Sequence, residues 1–259
     1  MKVTILGCGT SSGVPRIGGN DGQGEWGSCD PAEPRNRRRR ASILVRTKAA
    51  SVLIDTAPDM REQLLAARVG HLDAVIWTHD HADHCNGIDD LRQVYQLRGS
   101  EVPGYARAAT IAGLKQRFGY VFEGRGGYPA TVAIAELPDR LVIGDLAIHV
   151  IDQPHGRITA AGLVFEQNDK RIGYATDFNE MTAEMRTLYE GLDIWIVDAL
   201  RREPHPTHPT LADALRWRAE LNVKRTVLVH MDWSMDYATL LAELPGGVEP
   251  GYDGLVLEA

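Results

Sequence analysis

Paired cysteines, long apolar runs and an excess of basic charge are all missing from this sequence. Its only cysteines are Cys8, Cys29 and Cys85, an odd number, widely spaced and without a CxxC pair. That spacing argues against a zinc ribbon, a redox motif or a disulfide framework. No stretch approaches the ~18 consecutive apolar residues of a membrane span. The opening MKVTILGCGT has neither the apolar run nor the cleavage site of a secretory signal, so a cytoplasmic protein without membrane association is expected. A formal net charge of -7 speaks against coating nucleic acid or an anionic membrane, which needs a cationic field.

What is present is globular in composition. Hydrophobic residues at 44% and charged residues at 24% rule out intrinsic disorder, and 259 residues suit one sizeable core, so a single domain over residues 1–259 is expected. Short β-branched runs at 2–6, 42–45, 51–54, 74–77, 141–151, 162–165, 171–175, 193–197 and 225–229 read as strands. Helical patterns fall at 58–68, 87–97, 110–118, 182–189, 210–220 and 236–243. Strands that come first in adjacent pairs and later alternate with helices fit two mixed sheets covered by helices better than a doubly wound sheet. Residues 13–40, 98–109 and the glycine-rich 123–129 read as irregular.

The strongest chemical signal leaves the apolar run 74–77: Thr78-His79-Asp80-His81-Ala82-Asp83-His84, an HxHxDH pattern. A loop departing from a buried strand presents alternate residues in one direction, so His79 and His81 can face one metal while Asp83 and His84 turn to another. Further ligands should stand where apolar strands end. His155 follows one such run, Asp177 ends RIGYATD and His230 ends RTVLVH. Each has a plain alternative: a loop histidine for His155, a helix N-cap for Asp177, a satisfied buried histidine for His230. Gly7, Gly9 and Gly13 lack the GxGxxG spacing, so no dinucleotide is implied. Cys85 and Cys8 read as small buried residues, and His71 and His149 as structural.

With His79, His81, Asp83, His84, His155, Asp177 and His230 in this order, the chain resembles the metallo-β-lactamase fold superfamily of hydrolases. Its GTSSGVPR, LIDTAPDMR and PTHPTLADAL segments are similar to the branch of phosphoribosyl 1,2-cyclic phosphate phosphodiesterases, itself related to tRNA 3′-end processing nucleases. The resemblance implies an α/β (α+β) fold, a four-layer αββα sandwich with metals at one edge between the sheets. It implies two divalent ions per chain, zinc or manganese. One would take His79, His81 and His155, the other Asp83, His84 and His230, with Asp177 bridging. It also implies that His208 acts at the scissile phosphate, with His205 as competitor, that Asp83 takes part in the chemistry, and that Asp55 orients the ligand loop. Close relatives can carry a structural zinc on clustered cysteines and a histidine three residues beyond the last ligand. Here only Cys29 and Trp233 occupy those places, so residues 21–34 must be held otherwise.

The expected activity is hydrolysis of a small or cyclic, ribose- or nucleotide-like phosphodiester to a phosphomonoester. The alternatives are a tRNA 3′-processing-like nuclease, an ester, lactone or thioester hydrolase, and a non-catalytic nucleotide-binding module. No stable nucleic-acid complex is expected, because Arg35-Asn36-Arg37-Arg38-Arg39-Arg40 is the one basic run and reads as a solvated face. A narrower reading lets one of these arginines pair with the substrate phosphate. A homodimer is one option, for which an exposed patch over residues 99–128 could serve, though no residue specifies an interface.

Overall fold

The computed structural model describes residues 1–259. The first half contributes strands β1 (Lys2–Gly7), β2 (Ser42–Arg46), β3 (Ser51–Ile54), β4 (Ala74–Ile76), β5 (Val102–Ala106) and β6 (Val132–Glu136). Between them lie helices α1 (Met60–Ala66), α2 (Ala82–Cys85), α3 (Leu91–Arg98) and α4 (Ala108–Glu123). The second half adds β7 (Arg140–Ile143), β8 (Leu146–His155), β9 (Ile158–Gln167), β10 (Lys170–Ala175), β11 (Ile194–Asp198), β12 (Arg225–Val229) and β13 (Val248–Pro250), with α5 (Ala183–Tyr189), α6 (Leu211–Glu220) and α7 (Tyr237–Glu243). Finally β14 (Val256–Glu258) returns to the first sheet, antiparallel to β1.

The two seven-stranded sheets follow one plan: β14-β1-β2-β3-β4-β5-β6 and β13-β12-β11-β10-β9-β8-β7. In each, an antiparallel ladder becomes parallel at a junction strand, β3 in the first sheet and β10 in the second. Strand alternation divides the first sheet between two cores. Ile43 and Val45 of β2, with Val52 and Ile54 of β3, join the core between the sheets. Leu44 and Leu53, one residue out of phase, join the outer core beneath α1, α3 and α4. The second sheet turns Trp195 of β11 and Trp217 of α6 into the larger core, which completes the αββα layering. No helix is long and apolar enough to cross a membrane.

Several expected boundaries move. The run 141–151 divides into β7 and β8 at Gly144, whose φ of 57° turns the chain. The helix expected at 110–118 extends to Glu123 across a kink at Phe118 (φ −126°, ψ 31°), where the helical pattern lapses. The segment 98–109 is not wholly irregular, because it holds β5; residues 99–128 are not one exposed patch either, since Val102, Leu114 and Val121 are buried. Residues 13–40 carry one short turn of helix, Pro34–Asn36, and isolated bridges.

That last segment is held by a buried arginine. Arg38, only 2% exposed, donates from Nη1 to the carbonyl of Asp232 at 3.0 Å and from Nη2 to Asn36 Oδ1 at 3.3 Å and to the carbonyl of Met235. Asn36 in turn donates to Asp236 Oδ2 at 2.7 Å. Gly27 (φ 58°) lies so close to Trp233 that a Cβ would stand 2.8 Å from its ring. The arginine run is therefore not a uniform solvated face. Arg35 pairs with Glu33 at 2.7 Å and covers Tyr237, while Arg38 is internal.

Candidate metal centre

The carboxyl ends of β3, β4, β8, β10, β11 and β12 meet along one edge of the sandwich, and the polar residues just beyond them form the site. The contiguous part comes first. Asp55 follows β3 at φ 65° and accepts the Thr78 N–H on Oδ1 and the Thr78 hydroxyl on Oδ2, each at 2.8 Å. Its Oδ2 also meets His84 Nδ1 at 2.7 Å. The loop then turns through α2, where Gly87 donates its N–H to the Thr56 carbonyl at 2.8 Å. A Cβ at Gly87 would stand 2.0 Å from the Ala57 carbonyl oxygen. Burial pushes the Asp55 carboxyl up, opposed by His84 and the Thr78 donors. The Cys85 thiol donates to the His81 carbonyl at 3.0 Å, a structural role for a fully buried residue.

From the second sheet come single residues. His155 ends β8, Asp177 stands two residues past β10 at φ 56°, and His230 follows β12 at φ 58°. Asp177 lies between two groups of imidazoles. Its Oδ1 is 3.8 Å from His79 Nε2 and 3.7 Å from His155 Nε2. Its Oδ2 is 3.1 Å from His84 Nε2 and 3.5 Å from His230 Nε2. Asp83 Oδ2 lies 3.4 Å from His84 Nε2 and 3.6 Å from His230 Nε2, and His81 Nδ1 lies 3.3 Å from His155 Nε2. One set of donors, within 4.8 Å of one another, is thus His79, His81, His155 and Asp177; another is Asp83, His84 and His230.

The inward nitrogens have no other task. His79 Nε2, His84 Nε2 and both ring nitrogens of His230 are buried without a hydrogen-bond partner. On His84 and His155 the outward Nδ1 is fixed, by Asp55 and by the Thr207 carbonyl at 2.9 Å. Orphaned inward nitrogens with anchored outward ones, facing a central carboxylate, suit divalent cations. The electrostatics divide the two groups: His79 and His155 are set for coordination, whereas, against burial, the carboxylates raise His84 and His230 and so hold positive charge at their end of the site. Burial would raise the Asp177 carboxyl, but His230, His84 and His79 hold it well below the usual range, and Asp83 is likewise lowered. Burial lowers His79, with His84 adding to it, and lowers His155, which leaves both neutral and ready to coordinate. Burial opposes charge on His230 too, but Asp177, Asp198 and Asp83 carry it up to about 9. The N-cap of α5 is Thr182, so Asp177 caps no helix.

His208 joins the same cluster, and His205 does not. Its ring stacks on His230 at 4.8 Å between centroids, its Nε2 is 3.9 Å from Asp177 Oδ1, and its Nδ1 is held at 2.7 Å by Asp198 Oδ2. Asp198, fully buried at the end of β11, also accepts the Asp177 N–H at 3.2 Å. Sequence reasoning missed this residue, although IWIVD ends an apolar run in an acid just as VLID does at Asp55. Arg40 was only one of five candidates in its run. Together with Ser11, Ser12 and Arg16 it lines a cavity of about 480 Å³ that opens beside Asp83. His71 pairs with Asp73 and His149 with Glu166, both away from the cluster.

Residues 50–231 match the family described as the β-lactamase superfamily domain. The chain is similar to a crystal structure described as a new diphosphatase from the PhnP family: identity is 33%, the TM-score is 0.88, and the match covers 99% of this chain and 96% of that one. It is 32% identical to the octanoyltransferase of Porphyromonas gingivalis over 98% of this chain and 51% of that protein. It is 29% identical to the ribonuclease Z of Bradyrhizobium diazoefficiens over 53% of this chain and 48% of that protein. The match thus spans about half the length of each of these two curated relatives.

Proposed function

The chain belongs to the β-lactamase superfamily, in its PhnP branch, and on that premise we propose that it is a dinuclear metal-dependent phosphodiesterase acting on a small or cyclic phosphodiester. His79, His81 and His155 would hold one divalent ion, Asp83, His84 and His230 the other, and Asp177 would serve both through its two oxygens. Imidazole and carboxylate donors suit zinc or manganese. A divalent pair so held supplies Lewis acidity to the phosphoryl oxygens and lowers the pKa of water from 15.7 towards about 7.

The observation that carries the reading is the Asp198-His208 pair at the edge of the cluster. With Nδ1 fixed by Asp198, His208 turns Nε2 towards Asp177, where it would meet the leaving oxygen. As a water oxygen, having given one proton to solvent, bonds to phosphorus and the bond to the leaving oxygen breaks, that oxygen would take a proton from His208, which solvent then restores, leaving a phosphomonoester and an alcohol. Arg40, paired with Asp59 at 3.1 Å, faces the adjoining cavity and would meet a phosphoryl oxygen there. All seven proposed ligands come from one chain, so the chemistry requires no dimer. Residues 1–259 would act as a single hydrolase domain, since β14 closes the first sheet after the second is complete.

The 33% identity to a diphosphatase over nearly the whole of both chains supports phosphoryl chemistry. Acyl transfer gains no comparable support, because half of the octanoyltransferase lies outside the match. The test is hydrolysis of bis(p-nitrophenyl) phosphate by protein loaded with manganese or zinc. Turnover lost in Asp83→Ala and Asp177→Ala is expected; a fully metal-loaded protein that hydrolyses no phosphodiester would sink the proposal.

A further inference from the structure

The arginine run has a second face that the metal centre does not use. Residues 37–40 run extended, so Arg38 and Arg40 point one way, into the loop anchor and the cavity beside Asp83, while Arg37 and Arg39 point the other. On that opposite side Arg37, Arg39 and Arg46 of β2 line a groove of about 470 Å³ bounded by α1 and the segment before β14. Their situation differs from that of their neighbours. Arg35, Arg38 and Arg40 each have a carboxylate or a set of carbonyls, whereas the guanidinium groups of Arg37, Arg39 and Arg46 make neither an ion pair nor a hydrogen bond, and only that of Arg37 has another partner, the Trp26 ring at 5.0 Å. The only carboxylate lining the groove, Asp253, is already engaged. Its Oδ1 accepts the Cys8 N–H at 3.1 Å and its Oδ2 the Arg39 N–H at 2.8 Å.

Three guanidinium groups without an ion-pair partner line one groove, and in a chain of net charge -7 such a local concentration of positive charge favours an anion. The planar fork of arginine matches phosphate oxygens two at a time. Beneath the arginines the wall of the groove is closed. Gln63, 1% exposed and lining the groove, donates Nε2 to the Arg40 carbonyl at 2.9 Å but leaves Oε1 buried without a donor. The groove has the volume of a small-ligand site, and a net charge of -7 speaks against a nucleic-acid polymer.

We propose that this groove binds a small oligophosphate, a ligand with two or more phosphate groups, at a site separate from the metal centre. Calorimetric titration of the metal-loaded protein with pyrophosphate and with ADP tests it, beside the variants Arg37→Ala, Arg39→Ala and Arg46→Ala. At least a tenfold rise in Kd is expected in each variant, with metal content and bis(p-nitrophenyl) phosphate turnover unchanged. Arg37 is exposed on a loop, so its variant keeps the test valid if a strand variant folds poorly. Tighter ADP than pyrophosphate assigns a nucleotide; equal affinities assign a free oligophosphate. Values within twofold of the parent in all three variants would overturn the proposal, as would binding that disappears only in Asp177→Ala, because the phosphates would then sit on the metals. Preferential, steeply salt-dependent binding of an RNA oligonucleotide, lost in the same variants, would also overturn it in favour of a polymer.

Discussion

The two sheets share a plan of strands and build their halves of the rim in opposite ways. The first sheet delivers its candidate ligands in one loop, His79 to His84, stiffened by a single carboxylate: Asp55 engages Thr78 at one end of the loop and His84 at the other. The second sheet delivers His155, Asp177 and His230 from three separate strand ends, and its buried carboxylate, Asp198, reaches the Asp177 N–H and the added histidine, His208. A short loop can be held from one point; three strand ends are already held by the sheet. The second carboxylate is consequently free to orient a side chain, His208, which on the proposed function would move a proton. On the proposed function, Asp55 is then expected to matter for metal retention and Asp198 for rate.

Removing Asp55 should have the larger effect. Asp55→Ala leaves the Thr78 N–H and hydroxyl and the His84 Nδ1 without their partner in a fully buried place, at about 1–3 kcal/mol for each unsatisfied group. We expect metal affinity to fall about 100-fold and the thermal midpoint to drop with it. Competition with a chelator of known affinity checks the first, calorimetry the second. Full metal occupancy in this variant would show that the loop holds its ligands unaided.

Asp198→Asn should be the milder change, and of a different kind. An amide oxygen can still accept the Asp177 N–H, but the charge that steadies His208 is gone. We expect metal content to stay at the parent level while kcat falls about tenfold, KM unchanged. The loss should grow as the leaving group becomes a poorer one, the signature of a proton donated to it. Equal losses for p-nitrophenol and for an alkyl leaving group would remove His208 from that role, and lost metal would make Asp198 a second Asp55.

The same contrast decides what could be read in the sequence. Four ligand candidates within six residues after one apolar run form a visible pattern, and so does an acid closing the run before it. Asp198 carries the same signature as Asp55, yet it stands alone, with His208 ten residues away and no neighbouring histidine to draw attention to it. Most strands were legible through their β-branched runs. β5 and β6 were not: Pro103 and Gly104 read as loop residues, and Val132–Glu136 has only Val132 and Ile134 as β-branched residues. The structure needs that glycine, since a Cβ there would stand 2.7 Å from Val132 and 2.8 Å from Trp77. The three-residue strands β13 and β14 are too short to show alternation and exist through their pairing with β12 and β1.

The second half of the rim has one more tether that the first lacks. Directly after His230, residues 232–236 fasten the irregular segment 21–40, through Arg38 on the carbonyls of Asp232 and Met235 and through Asp236 on Asn36 and the Asp30 N–H. Asp236 also caps α7, accepting the Thr239 N–H at 2.9 Å. Partial burial would push its carboxyl up, but the donors of Thr239, Asn36 and Asp30 bring it down to about 2. Since the folded value lies below the ~3.9 of an unfolded aspartate, the stabilisation is fully present above about pH 4 and disappears as the pH falls through 2. Asp236→Ala should therefore cost about 1 kcal/mol at pH 7, the usual cost of losing an N-cap. The gap to the parent should narrow steadily between pH 4 and pH 2 in denaturant unfolding. A constant gap would mean that the carboxylate charge does not hold the tether, and that Arg38 and the packing of Gly27 on Trp233 suffice to fix the segment beside His230.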